Sequence, residues 1–236
     1  MDAAGYTTLT RQSGLMREMQ VVAHNIANIS TTGFRREGVI FSEYVQRLED
    51  GPSLSMGHAS ARQIDLRQAG LSQTGGTFDF AIQGEGFFLI DTPQGQKMTR
   101  AGSFTPNAEG ELVNSDGLRL LDLGGAPIFV PPDVGAVALA ADGTLSAKGG
   151  PLAQIGLWQP VDPLDLQHEG GTVFASGAVE PASQTVILQG FLEESNVNPI
   201  SEIARMITVQ RAYELGQGFL DKEDERVRGV IQTLGR

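Results

Sequence analysis

The chain has 236 residues with a formal net charge of −11, 6% aromatic residues, 30 glycines and no cysteine. The missing thiols exclude disulfides and thiolate metal sites, and the acidic balance argues against a nucleic-acid backbone as partner. No apolar run reaches the roughly 18 residues of a membrane-spanning helix, and the length allows one large domain or two modest ones.

The charge is unevenly spread. Residues 1–35 hold three basic and two acidic groups, residues 196–236 hold six of each, and residues 36–195 hold eight basic and 20 acidic. The ends are therefore near neutral and can approach other chains closely, whereas the middle suits a solvated exterior. Met1–Thr8 lacks the basic and apolar segments of a secretory signal, so no cleaved leader is expected, and taken alone the chain reads as cytoplasmic.

A first helix is expected from Gly5 to Asn28, about 36 Å of rod. Leu9, Met16, Met19, Ala23 and Ile26 fall on a and d positions of a heptad, with Gln12 the polar interruption, and Leu15 and Val22 widen the stripe. Asn28 and Ser30-Thr31-Thr32 favour local side-chain-to-backbone bonds over further helix. Gly33 can take the positive φ that ends such a turn.

Residues 36–75 read as a connector, in which Val39, Ile40, Phe41, Tyr44, Val45 and Leu48 suggest a short amphipathic or extended piece broken at Asp50-Gly51-Pro52. From Gly75 the period becomes two: Phe78, Phe80 and Ile82 alternate with Asp79, Ala81 and Gln83. Gly84-Glu85-Gly86 then makes a turn, and Phe87–Ile90 reads as a strand buried on both faces. Short strands are expected at Glu111–Asn114, Leu118–Leu123, Ile128–Val130, Val137–Ala140, Ile155–Trp158, Val173–Ala175 and Val186–Leu192. Asp116-Gly117, Asp142-Gly143 and similar pairs punctuate them, the pattern of an all-β region of hairpins.

Asn198-Pro199 then signals a second helix: an N-cap oxygen followed by a proline whose missing N–H costs nothing at the first helical position. Glu202 puts negative charge near the positive end of the helix dipole. Met206, Val209, Tyr213, Gly216, Leu220, Val227, Val230 and Leu234 form its stripe. The fold class is α+β: N- and C-terminal helices paired as a coiled-coil-like α domain, with an all-β domain inserted. The expected divisions are 1–35, a connector at 36–75, a β-rich outer domain at 76–195, and 196–236.

Catalytic chemistry finds little support. Gly84-Glu85-Gly86-Phe87-Phe88-Leu89 lacks the third glycine of a dinucleotide loop and leads into a strand. His24, His58 and His168 lack metal-ligand spacing. Glu193 and Glu194, being adjacent on an extended segment, point to opposite faces and do not share a site. No catalytic residue, cofactor or metal is expected. The alternative of a different class is an acidic, soluble carbohydrate-active enzyme with scattered catalytic groups.

The two ends carry the stronger signal. Asn25-Ile26-Ala27-Asn28 with Thr32-Gly33-Phe34-Arg35, and Ser195-Asn196-Val197-Asn198-Pro199 with Gln210-Arg211-Ala212-Tyr213-Glu214, resemble the paired signatures of the flagellar axial family of rod, hook and related proteins. Phe78–Phe88 and Arg100-Ala101-Gly102-Ser103-Phe104 resemble the opening of that family's β domain. The length and the lack of a large outer insert point to a rod member, proximal before distal. Gly216-Gln217 departs from the asparagine that many relatives carry there.

The resemblance implies a structural subunit that transmits torque in the periplasmic part of the basal body, exported through the flagellar type III apparatus without a cleaved signal. Its partners would be other rod proteins and copies of itself, with no nucleic acid and no membrane insertion. Assembly would run through Leu9, Leu15, Met16, Met19, Val22 and Ile26 on the first helix. Met206, Val209, Tyr213, Leu220, Val227 and Val230 would serve on the second, with Asn25, Asn28, Gly33 and Phe34 shaping the turn.

Overall fold

A computed structural model describes residues 3–46, 54–148, 150–182 and 185–234. The chain forms two compact units. One comprises Met1–Ala27, Glu37–Gln63 and Asn198–Arg236, and the other Asn28–Arg36 and Ile64–Val197. The structure is thus α+β, with a helix near each end and a strand-rich middle.

The first unit contains helices α1 (Ala3–Ala27) and α2 (Pro199–Leu234) and strands β1 (Glu37–Gln46) and β2 (Leu54–Ile64), which pair as a two-stranded ribbon. Helix α2 starts where the Asn-Pro signal puts it. Asn198 Oδ1 accepts from the N–H groups of Ile200 at 3.0 Å and Ser201 at 3.1 Å, satisfying two donors that the helix leaves over. The two helices meet in opposite chain order: Gln12 with Tyr213, Glu18 with Arg205, Asn25 with Glu202. With 36 residues, α2 is much longer than the 25-residue α1, and every α2 residue from Asp224 to Leu234 is exposed. The expected connector piece is longer than a short segment, because β1 runs on through Tyr44 and Val45 and finds a partner in β2. Leu48 and the Asp50-Gly51-Pro52 break lie outside the described residues.

In the second unit α1 gives way to a turn. Thr31 N donates to Asn28 O at 3.2 Å, Thr31 Oγ1 to Asn28 Oδ1 at 3.1 Å, and Phe34 N to Thr31 O at 3.2 Å. Gly33 has φ +73°, the left-handed conformation that a glycine adopts at least cost. The strands follow in order: β3 (Leu71–Gln73), β4 (Phe80–Gln83), β5 (Phe87–Thr92), β6 (Gly95–Thr99), β7 (Thr105–Pro106), β8 (Leu112–Val113) and β9 (Arg119–Leu120). Then come β10 (Val137–Leu139), β11 (Thr144–Ala147), β12 (Gly150–Gln154), β13 (Leu157–Pro160), β14 (Gln167–Gly170), β15 (Val173–Ala175), β16 (Val179–Pro181), β17 (Val186–Gln189) and β18 (Phe191–Glu193).

All the pairings described are antiparallel, and the largest sheet runs β14-β15-β6-β5-β9-β8-β7, with β13 joining β5 to β16. Strand β5 is the doubly buried strand expected. Phe88 and Ile90 enter one core cluster with Phe80, Ile82, Leu112 and Leu120, while Phe87 and Leu89 enter another with Met98, Leu121 and Phe174. Period two on a central strand produces this division.

Two departures have local causes. The expected strand Val186–Leu192 is two strands, because Gly190 at φ +77° turns the backbone and donates to Asp79 O at 2.8 Å. Strands β12, β14 and β16 escape the sequence pattern because Gly150-Pro151, His168-Glu169-Gly170 and Glu180-Pro181 carry no apolar alternation and pair as poorly buried edge segments.

Candidate assembly surfaces and their internal anchors

On α1 the heptad stripe read from apolar residues is not the inward face. Leu9 is 52% exposed and Met16 40%, Ala23 is exposed, and Leu15, Met19 and Ile26 are half-buried. The buried line is Gln12, Gly14, Glu18, Val21, Val22 and Asn25, so of the expected interface positions only Val22 and Asn25 are enclosed. The physical reason is hydrogen bonding: three polar side chains on this line find partners on α2, which offsets the cost of burying them.

On α2 the stripe is inward for its first half. Val209 is buried, and Met206, Tyr213, Gly216 and Leu220 are half-buried. Beyond Glu223 it continues in the open, with Val227 at 45%, Val230 at 47% and Leu234 at 82% exposure. Ile200, Ile203, Ile207, Leu215 and Phe219 add further exposed apolar surface to the same helix. This is more exposed apolar surface on one helix than scattered single residues would give.

Asn25 anchors the helical unit. It is fully buried, and its amide is used on both sides. Nδ2 donates to Glu37 O at 2.8 Å and to Glu202 Oε2 at 3.1 Å, and Oδ1 accepts from Glu37 N at 2.9 Å. One side chain therefore fixes the first residue of β1 against the first turn of α2. Glu37 has His24 Nδ1 at 3.7 Å and Arg62 Nη1 at 3.5 Å from Oε2.

Glu193 anchors the β-bearing unit. Its carboxylate lies between two buried guanidiniums, with Oε1 at 2.9 Å from Arg35 Nη2 and Oε2 at 3.0 Å from Arg100 Nη1. Oε1 also accepts from Ala69 N at 2.9 Å, and the Glu193 backbone oxygen accepts from Gly33 N at 2.8 Å. Arg35 Nη1 donates to Arg67 O, and Arg100 Nη2 donates to Gly84 O at 2.7 Å. Burial pushes the Arg100 pKa down to about 10, and the neighbouring Arg35 adds to that, so Arg100 stays protonated at neutral pH. Burial lowers Arg35 too, against the opposing pull of Glu193 and Asp65. Arg100 also lies 5.4 Å from the centroid of the Phe87 ring.

The two terminal motifs meet at this knot. Asn196 Oδ1 accepts from Arg36 N at 2.6 Å, and its Nδ2 donates to Asp65 O and Arg67 O, each at 2.9 Å. Phe34 is fully buried and stacks at 5.2 Å on His168, whose ring is 4.3 Å from Phe174. Among the signature positions, then, Asn25, Gly33 and Phe34 are interior. Asn28 is half-buried in the turn.

Sequence reasoning did not single out Glu18, Glu37, Arg35 or Arg100 as structural groups, and it treated Glu193 only as one of an acidic pair. That pair is divided as expected, with Glu193 inside and Glu194 exposed. Among the described residues no three His, Cys, Asp or Glu side chains form a metal-binding group, and no helix is long and apolar enough to cross a membrane.

Models of known families match three stretches: "Flagella basal body rod protein" at residues 6–35, "Flagellar hook protein FlgE/F/G D1 domain" at 81–147, and "Flagellar basal body rod FlgEFG protein C-terminal" at 188–232. The flagellar basal-body rod protein FlgF of Mesorhizobium japonicum is 38% identical over 235 residues, covering 98% of this chain and 97% of the relative. FlgF of Caulobacter vibrioides is 35% identical over 243 residues, covering 100% and 99%. FlgG of Bacillus subtilis is 29% identical over 255 residues, covering 96% and 97%. Similarity of this extent, reaching both terminal motifs and the β region between them, means that the chain belongs to the flagellar basal-body rod protein family, as an FlgF-like structural subunit of the basal body and not an enzyme.

Proposed function

We propose that the chain is a proximal rod subunit that joins its neighbours through the exposed stripes of its two terminal helices. Copies and neighbours repeat the contact along a helical tube that transmits torque. The observation that supports this reading is the open half of α2: a stripe half-buried up to Glu223 goes on unchanged in spacing through Val227, Val230 and Leu234, where it is exposed. Exposed Leu9 and Met16 on α1 supply apolar surface of the same kind. A contact of this sort is heterologous, so repetition builds a helix and not a closed ring. In the assembled rod the helices of each subunit act as the coiled-coil-like α domain and the acidic β region as the solvated outer part.

The location that follows is the periplasmic rod, reached through the flagellar type III export apparatus. The neighbours are copies of this chain and rod proteins of the FlgB, FlgC and FlgG types. Identities of 34–38% to FlgF proteins against 29–30% to FlgG proteins favour the proximal over the distal position.

A charge placed in the open stripe tests the proposal. Val209 is unsuitable, because it is buried within the chain, whereas Val230 has no fold to disturb. Burying an unpaired carboxylate costs several kcal/mol, and each 1.4 kcal/mol is about tenfold in affinity. Val230→Asp is expected to reduce incorporation into purified basal bodies by more than about tenfold, with near-ultraviolet circular dichroism unchanged. Normal incorporation would remove the open stripe from the assembly interface.

A further inference from the structure

Gln12 is buried on α1 at 6% exposure, and its Nε2 donates at 2.8 Å to the backbone oxygen of Tyr213, inside α2. Opposite it stands Gly216. A Cβ added there would lie 2.4 Å from Gln12 Nε2 and 2.9 Å from its Cδ. The Gln12 Oε1 atom is buried with no hydrogen-bond partner. An amide thus occupies a glycine notch in the partner helix, with its acceptor oxygen unused. Leaving an acceptor unsatisfied is unfavourable, so the arrangement is not one that stability alone selects.

The geometry points to Gln12 and Gly216 as the pair that sets the phase of α1 against α2, and so the direction in which the open stripe of α2 projects. This rests on the assembly reading above for its consequence but not for its geometry. The enclosed line of α2 is Glu202, Met206, Val209, Tyr213, Gly216, Leu220 and Glu223, alternately four and three residues apart, with half-buried Ala212 at its side. A heptad stripe is nearly equivalent to itself after a half-heptad or full-heptad shift, so apolar packing alone selects no phase. Gly216 is the one glycine on this stripe. A seven-residue shift would set the Gln12 amide against Val209 or Glu223, and neither leaves a notch.

Asn25 with Glu202, and Glu18 with Arg205, already pin one end of the helix pair. A pair pinned toward one end can still drift in phase farther along. Gln12 lies thirteen residues before Asn25, about 20 Å away along α1 and beyond the Glu18–Arg205 contact, and supplies the fixed point at the far end. Single buried polar residues are known to set helix register at a cost in stability.

The chain contains no cysteine, so spin labels can be attached at engineered pairs without background. Ser13 with Gln217 reports the half of the helix pair near Gln12, and Gln20 with Ala204 reports the half near Asn25; all four positions are exposed. Electron–electron double resonance on the full-length monomer should show one narrow distance for each pair. In Gln12→Leu, and in Gly216→Ala, the Ser13–Gln217 distribution should broaden or acquire a second, displaced component, while Gln20–Ala204, held by the Asn25–Glu202 and Glu18–Arg205 contacts, stays unchanged.

Gly216→Ala is the safer variant, because alanine favours helix over glycine and keeps α2 formed while displacing the amide. A single, undisplaced Ser13–Gln217 distribution in either variant overturns the inference. Incorporation into basal bodies, measured on the same variants, separates the two readings. A displaced distance with normal incorporation upholds the phase pair and counts against the assembly surface.

Discussion

Glu193→Gln should destabilise the β-bearing unit by roughly 3–5 kcal/mol in urea unfolding, the cost of breaking a buried ion pair by removing one partner. The substitution keeps the size of the side chain and an oxygen near Ala69 N, so lost charge and not lost volume dominates. It leaves Arg35 and Arg100, 1% and 3% exposed, with no carboxylate between them. Their Nε atoms have no hydrogen-bond partner, and the remaining contacts of the two guanidiniums are to backbone oxygens, those of Arg67 and Gly84 among them, with Asp65 and Glu85 acting only through space.

Replacing all three groups together, as Arg35→Met, Arg100→Met and Glu193→Leu, should cost less than Glu193→Gln alone, because no uncompensated charge is left behind. It should still cost something, since Ala69 N, Arg67 O and Gly84 O lose the partners they have now. If Glu193→Gln unfolds at the same urea concentration as the parent, the knot does not hold the terminal motifs together.

Gly33→Ala is the second large effect. Its added Cβ would lie 2.3 Å from Ala101 N and Arg100 C and 2.5 Å from Arg100 O. All three are backbone atoms, so no side chain can swing away to make room. The residue also has φ +73°, which costs an L-residue roughly 1–2 kcal/mol, and overpacking of a close contact adds about 1–3 kcal/mol. A loss of about 2–5 kcal/mol is expected, with the backbone bond from Gly33 N to Glu193 O weakened. Full stability in this variant would mean that the turn can move off the Arg100–Ala101 backbone at little cost.

The chain's local grammar was legible because its causes are local. Asn198-Pro199 starts a helix, Gly33 takes positive φ, and Phe87–Ile90 lies in a strand covered on both sides. What the pattern could not show is whether an apolar stripe is covered within the chain. Leu9, Met16 and Ala23 obey the heptad on α1 yet are exposed, while Gln12, Glu18 and Asn25 are the buried line. Periodicity records that a face is apolar and not whether this chain buries it.

The Glu193 knot was illegible for a different reason. Arg100 and Glu193 are 93 residues apart and Arg36 and Asn196 are 160 apart, so each looks like an ordinary polar residue until the fold brings them together. The terminal motifs were recognisable as text, but their meeting around one buried carboxylate is a property of the fold alone.

The exposed helix stripes can be tested by placing single cysteines in a chain that has none. Met16→Cys and Val230→Cys, with Ser115→Cys on the β region as an exposed control, are reacted with a maleimide in the isolated monomer and in purified basal bodies. The account predicts that all three variants react in the monomer. In basal bodies the thiols of Met16→Cys and Val230→Cys become protected, while the Ser115→Cys variant is labelled as before. Equal labelling of the two helix positions in monomer and basal body would contradict it.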